Sequence, residues 1–366
     1  MIYKRQNKNK ININPIQAGG ILTKDARKTL IEWGDGYSVC DIWYSGKIDK
    51  IENPQIRKFI NEDLPKFLGS DIARIIGGAR EGICAIMHAV AKPGDIILVD
   101  ENKHYTTILA AEKNGLKVVE VPNSGHPEYK IDVRDYEKLI KKHKPALILL
   151  TYPDGNYGNM PDAKKLGEIV IKYNIPYLLN AAYSAGRLPV DLIAINGDFI
   201  VASGHKSMAA SEPIGVLGFR KKWKDTLFKK SFFYPDKEIE FLGHYQKGAP
   251  MMTLMASFPY VKKRVEEWEK QIEKARWFSA EMEKLGFKQL GEKPHNHDLL
   301  FFESPQLYKI SQKHKEGRFF LYKELKKKGI YGIKPGLTKH FKLSTFAASK
   351  EELKKLLEVF KEILIK

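Results

Sequence analysis

The chain has 366 residues, 43% of them hydrophobic, and a formal charge of +18 from 62 Lys and Arg against 44 Asp and Glu. That is enough material for a large core with a smaller unit beside it, and no apolar run is long enough to span a bilayer. Two cysteines, Cys40 and Cys84, exclude a disulfide framework and suit a reducing cytoplasm. The positive excess suits a polyanionic partner, most simply a nucleic acid. A lysine-rich proteome with solvated surface charge is the alternative source.

Residues 1–10 are basic and polar with no apolar segment behind them, so they read as a mobile arm and not as a secretory signal. Pro15 and the pair Gly19-Gly20 precede a short helix over 23–32, capped by Thr23. The glycine-punctuated loop Gly34 to Asp41 follows, then an amphipathic helix over 53–68. A buried strand over 72–76 leads into Gly77-Gly78-Ala79-Arg80-Glu81-Gly82 and an apolar helix. Strand, glycine turn and helix N-terminus together form an arrangement that binds phosphate, although Gly77-Gly78 reads equally as a plain tight turn. Cys84 and His88 on that helix read as packing or surface residues, not as ligands.

Strands then alternate with helices. Strands are expected over 96–99, 118–121, 146–150, 177–179 and 199–202, and helices up to Lys113, over 132–142 and over 162–173. A last strand covers 214–219. Short apolar strands between helices argue an α/β fold with a mostly parallel central sheet covered on both faces. In such sheets sites gather at the carboxyl ends of the strands. Ala79-Arg80, His104, the segment Tyr152 to Asn156, Asn180 and Lys206 all fall at such ends.

The sharpest of these is Ser203-Gly204-His205-Lys206 followed by small residues. A lysine at the end of a buried strand loses hydration that nothing apolar replaces. One chemistry uses that cost: an imine with the aldehyde of pyridoxal phosphate, made by a desolvated amine of lowered pKa. Gly204 lets the backbone approach a cofactor, and Ser203 and His205 can donate to its phosphate. A surface lysine beside a turn is the plainer reading, and the convergence at strand ends favours the cofactor.

Beyond Trp223 the chain becomes basic and aromatic up to Phe241, and a long helix is expected over 261–284. Met251, Met252 and Met255 read as packing. Strands near 299–302 and 342–345, with helices near 319–328 and 351–365, suggest a smaller α+β unit. The expected division is an N-terminal arm and active-site loop over 1–45, a large cofactor-binding domain over 46–245 and a small C-terminal domain over 246–366.

Several stretches resemble the archaeal O-phosphoseryl-tRNA:cysteinyl-tRNA synthase family, which has the fold-type-I architecture of pyridoxal-phosphate enzymes. They are Asn14-Pro15-Ile16-Gln17 with Gly19 to Thr23, Gly34 to Asp41, Gly77 to Gly82, the stretch around His104, and Leu179 to Tyr183. Ser203 to Ala210, Gly248-Ala249-Pro250, Thr253 to Pro259 and Gly332 to Thr338 complete the set. The resemblance implies a β-replacement on phosphoserine esterified to tRNA(Cys), in which sulfur replaces phosphate. It implies that Lys206 holds pyridoxal phosphate, that Ala79, Arg80, Ser203 and His205 bind its phosphate side, that His104 lies against its ring and that Asn180 faces its nitrogen. Arg80, His104 and Tyr105 are the candidates for the substrate phosphate; no metal is expected. A homodimer, a tRNA partner and a phosphoseryl-tRNA synthetase as a further partner are implied as well. The family handles sulfur with three cysteines, whereas here only Cys40 stands at such a position, with Trp43 and His244 at the others. A desulfurase or β-lyase acting on a free amino acid, or a silent scaffold subunit, would share the same cofactor residues or their remnants.

Overall fold

The computed structural model describes residues 10–35, 38–39, 56–242 and 246–365. Cys40, Trp43, His244 and half of the 34–41 loop lie outside them.

Seven strands form the central sheet in the order Ile72–Ile76, Gly215–Phe219, Phe199–Ser203, Tyr177–Asn180, Leu147–Thr151, Ile96–Asp100, Lys117–Val121. The last five run parallel. Gly215–Phe219 runs against both its neighbours, so the sheet is mostly parallel with one reversed strand inside it. Alternate strand residues face opposite cores, as the twofold pleat requires. Leu98, Ile148, Leu150, Leu179 and Ile200 meet the helices around 56–68, Arg134–His143 and Ala163–Ile171. Ile97, Val99, Leu149, Leu178 and Val201 meet the helices Ala79–Val90 and Tyr105–Lys113. With both faces covered, the strand tips are left as the open edge of the layer.

The smaller unit is an antiparallel sheet of Lys288–Leu290, Leu299–Glu303 and His340–Ser344. Its helices are Trp268–Lys284, Pro305–Lys313, Phe320–Lys327 and Lys350–Leu364. Phe278, Phe302, Phe320, Phe341 and Phe360 fill its core together with Ile13. Ile11–Asn12 pairs in parallel with Ile330–Tyr331. The described part of the N-terminal segment is therefore woven into the rest of the fold.

Three sequence expectations change. The single helix expected over 261–284 is two helices, Gly248–Glu266 and Trp268–Lys284, that meet at Glu267. Pro250 falls in the first turn, where a missing N–H costs nothing, and Pro259 is accommodated inside the helix. Met251, Met252, Leu254, Phe258 and Val261 of the first of these helices lie in the large core, so that core extends past the expected boundary at residue 245. Lys206, expected at the end of a buried strand, instead rides on one helical turn, Gly204–Ser207, that follows the strand Phe199–Ser203.

Candidate active site

The strand tips open into a cavity of about 920 Å³, whose lining includes Gly77 to Arg80, His104, Thr151, Asn180, Tyr183, Ser203, His205 and Lys206. At one end the chain leaves strand Ile72–Ile76 through Gly77-Gly78 and enters the helix Ala79–Val90. Gly78 has φ of 140°, a conformation side chains rarely adopt, and a Cβ there would come within 3.9 Å of the His205 ring. The Gly77 N–H donates to Glu81 Oε2 at 2.7 Å. The N–H groups of Ala79 and Arg80 open the helix, where no partner exists within it, and the helix dipole favours an anion there. Arg80 is exposed and adds a full positive charge.

Lys206 faces this turn from the short helix after strand Phe199–Ser203. Its amine lies 5.3 Å from the centre of the Tyr183 ring, and among the described residues no carboxylate is within ion-pair distance of it. Burial, then the cations of Arg80 and Arg187, hold its pKa below the usual lysine value. Such an amine is uncharged more often than a surface lysine and so is the better nucleophile and base.

What fixes the turn beneath Lys206 is a buried cationic brace. Arg187 is fully buried, and its Nη1 donates to Asp298 Oδ2 at 2.9 Å and Oδ1 at 3.3 Å. Its Nη2 donates to the carbonyls of Pro15 at 2.9 Å and Lys206 at 3.3 Å. Arg264 donates to the carbonyls of Gly186 at 2.8 Å, Gly19 at 2.9 Å and Ser207. Ser344 donates to Asp298. N-terminal segment, lysine turn and small unit thus meet on two guanidinium groups. The glycine pair at residues 19–20 gains its reason here: a Cβ on Gly20 would sit 1.8 Å from the His205 carbonyl oxygen.

His104 caps the helix Tyr105–Lys113; its Nδ1 lies 2.8 Å from Thr106 Oγ1 and accepts the Thr106 N–H. Burial, then Lys206, Lys342 and Arg80, push its pKa down to about 4. It is therefore neutral at pH 7 and offers a phosphate an uncharged Nε2–H. Asn180 ends its strand 4% exposed. Its Oδ1 accepts the Ala182 N–H at 3.3 Å, and its amide nitrogen has no protein partner among the described residues. Ser203 Oγ lies 3.3 Å from His205 Nε2, and His205 Nδ1 lies 3.0 Å from the Ile214 carbonyl.

Two predicted residues do not reach the cavity. Tyr105 is 61% exposed, with its ring against that of His104 at 4.3 Å. Opening a helix at the surface turns it outward. Gly204 is glycine because a Cβ would lie 2.7 Å from Ile214 Cγ2, a packing reason and not a cofactor approach. Cys84 packs against the core under its helix and His88 is exposed, as expected, and both also border the cavity. Cys84 Sγ accepts from Asn114 at 3.5 Å and His88 lies 2.8 Å from Glu240. Sequence reasoning missed Arg187, Arg264, Asp298 and Lys342. The only signal was an arginine set among small and apolar residues after Tyr183.

Behind the rim, Asp100 accepts the Thr151 N–H at 2.8 Å while its Oδ1 has no partner, and burial raises its pKa to about 7. Asp154 is raised to about 6, again mainly by burial. Lys342, from the small unit, donates to the Gly155 carbonyl at 2.7 Å and steadies that turn.

The donor set fits pyridoxal phosphate. A helix N-terminus with Arg80, Ser203 and His205 suits the phosphate, an unpaired depressed amine suits the aldehyde, and an unpartnered amide suits a ring nitrogen.

Residues 82–365 match the family described as O-phosphoseryl-tRNA(Sec) selenium transferase. The chain is 52% identical to the O-phospho-L-seryl-tRNA:Cys-tRNA synthase of Methanosarcina acetivorans, over 99% of this chain and 95% of that one. It is 49% identical to the synthase of the same name from Methanocaldococcus jannaschii, over 97% and 95%. Among solved structures, the complex of SepCysS with the SepCysE N-terminal domain matches with a TM-score of 0.92 at 47% identity, covering 99% of this chain and 96% of that one. A cysteine desulfurase from Thermococcus onnurineus matches with a TM-score of 0.79 at 18% identity, over 97% and 95%. That likeness shows the fold, which is the fold-type-I architecture.

Proposed function

The chain belongs to the O-phospho-L-seryl-tRNA:Cys-tRNA synthase family, and on that premise we propose that it is a pyridoxal-phosphate enzyme that replaces the phosphate of phosphoseryl-tRNA(Cys) with sulfur. The observation that carries this reading is the amine of Lys206, its pKa lowered and, among the described residues, without a carboxylate partner, in one cavity with the start of the helix Ala79–Val90 at the converging strand tips.

Lys206 would carry the cofactor. Arg80, Ser203, His205 and the Ala79 N–H would hold its phosphate, His104 would lie against its ring, and the Asn180 amide would face its nitrogen. When bound, pyridoxal phosphate supplies an aldehyde for amines and a sink for the charge left when Cα loses its proton. Lys206 Nζ takes that proton and later returns it, a role that its lowered pKa favours. Arg80 stabilises the departing phosphate through charge-assisted hydrogen bonds, with His104 as a neutral donor. The Asn180 amide does not hold a proton on the ring nitrogen as a carboxylate would, which suits a reaction whose leaving group is already good. Overall, a Cβ–O bond breaks and a Cβ–S bond forms, with hydrogen sulfide as the simplest balanced donor. Cys40 is the candidate sulfur carrier, with Trp43 and His244 where the family has its other cysteines.

A homodimer in the cytoplasm belongs to the same reading, with tRNA(Cys) as the nucleic-acid partner. The solved relative is in a complex with the SepCysE N-terminal domain, and a protein of that kind is the partner we propose in preference to the synthetase. The deciding test is single-turnover conversion of phosphoseryl-tRNA(Cys) with sulfide. Cysteinyl-tRNA should form with wild type and not with Lys206→Ala; no product from wild type would overturn the reading. Equal rates for Cys40→Ser would remove that thiol from the chemistry.

A further inference from the structure

The basic, aromatic stretch beyond Trp223 has no part in the chemistry above. In the structure it carries a hairpin whose tip is Phe232-Phe233-Tyr234, exposed by 89%, 82% and 66%. Single exposed apolar residues are ordinary; three adjacent rings on one tip are a patch that marks an interaction site.

The tip is held in place. Ser231 N–H donates to the Lys237 carbonyl at 2.9 Å, Lys237 N–H to Tyr234 at 2.8 Å and Ile239 N–H to Lys229 at 2.9 Å. Lys230 and Glu238 bridge the two arms, and Glu238 is locked to buried Arg74 at 3.2 Å. The Phe232 and Phe233 rings stand edge to face, 5.3 Å apart, with their outer faces open. Between Lys221 and Lys237 there are six lysines against two aspartates. The second arm then runs into Ile239, Glu240 and Leu242, which line the outer wall of the catalytic cavity.

Open rings set among lysines, on a hairpin whose second arm leads to residues lining the cavity, match a partner with flat faces and a negative backbone: an unpaired nucleic-acid end. We propose that the Phe232–Tyr234 tip is the platform on which the unpaired 3′ end of the tRNA stacks as its aminoacyl group enters the cavity. This rests on the tRNA reading given above. Charge complementarity favours RNA over a second copy of this chain, which carries the same positive excess.

The test compares wild-type holoenzyme with the triple variant Phe232→Ala, Phe233→Ala, Tyr234→Ala, using a tRNA(Cys) transcript and the same transcript trimmed of its unpaired 3′ nucleotides. The rings are solvent-exposed, so the variant should fold; thermal melting and light scattering check fold and oligomeric state. The variant should bind intact tRNA about tenfold more weakly or worse, with an unchanged salt slope. The two proteins should bind trimmed tRNA equally. Lys229→Gln with Lys237→Gln should instead flatten the salt slope, by roughly one to two. Equal binding of intact tRNA by wild type and variant would overturn the proposal, as would a deficit that survives trimming. A variant that falls from dimer to monomer would assign the tip to a second copy and overturn it too. Wild type that neither binds nor converts phosphoseryl-tRNA removes the tRNA reading itself, an outcome distinct from the others.

Discussion

Asp298→Asn probes the brace under Lys206 most sharply. Arg187 and Asp298 are both fully buried, and each makes further hydrogen bonds beyond their pairing. Removing the carboxylate charge leaves a guanidinium uncompensated in a dry interior, a change that costs about 3–5 kcal/mol. Folded domains have roughly 5–15 kcal/mol in total, so about a fifth or more of the stability is at stake. Urea denaturation should show that loss as a lower midpoint at unchanged slope. Replacing both partners, Arg187→Met with Asp298→Leu, should recover most of it, because an apolar pair of similar volume costs little. The double variant should still bind pyridoxal phosphate weakly, since nothing then grips the Lys206 carbonyl. A single-variant loss below about 1 kcal/mol, or a double variant with wild-type cofactor affinity, would refute the brace as drawn.

Three further outcomes follow from the same geometry. Gly20→Ala drives a methyl group into the His205 carbonyl; cofactor affinity by absorbance titration should fall at least about tenfold, and wild-type affinity would show that the turn yields freely. Asp100 has a folded pKa of about 7 against an ordinary 3.8, so the folded state keeps a proton that the unfolded chain has lost between those values. Its contribution is present below the unfolded value and is lost as pH rises through 7. Relative to Asp100→Asn, wild type should lose on the order of 3 kcal/mol between pH 5 and pH 8, and parallel pH profiles would contradict that. Asn180→Asp should raise transamination side products in the presence of a keto acid, measured by chromatography; a variant with none sinks the account of position 180.

Much of this architecture was legible because buried strands announce themselves as short apolar runs between turn residues. The runs expected at 72–76, 96–99, 146–150 and 199–202 fall on strands within a residue at each end and needed no context. The direction of Gly215–Phe219 did, since a strand buried on both faces reads the same either way. The helix pair meeting at Glu267 was missed because its prolines look like breakers while the true break has neither Gly nor Pro. That Lys206, Arg80, His104 and Asn180 border one cavity was readable from their place at strand ends. The charge state of His104 was not, because it depends on burial and on cations from three separate elements. The Arg187–Asp298 pair spans 111 positions, and no local pattern foretells such a meeting. Tyr105 failed for the opposite reason: adjacency to His104 in sequence turned it outward in space.

The most direct measurement is where the cofactor attaches. Protein incubated with pyridoxal phosphate, reduced with borohydride, digested and sequenced by mass spectrometry should carry the phosphopyridoxyl mass on Lys206 in a single peptide. Label spread over surface lysines, or a Lys206→Ala variant labelled as fully as wild type, would contradict the account at its root.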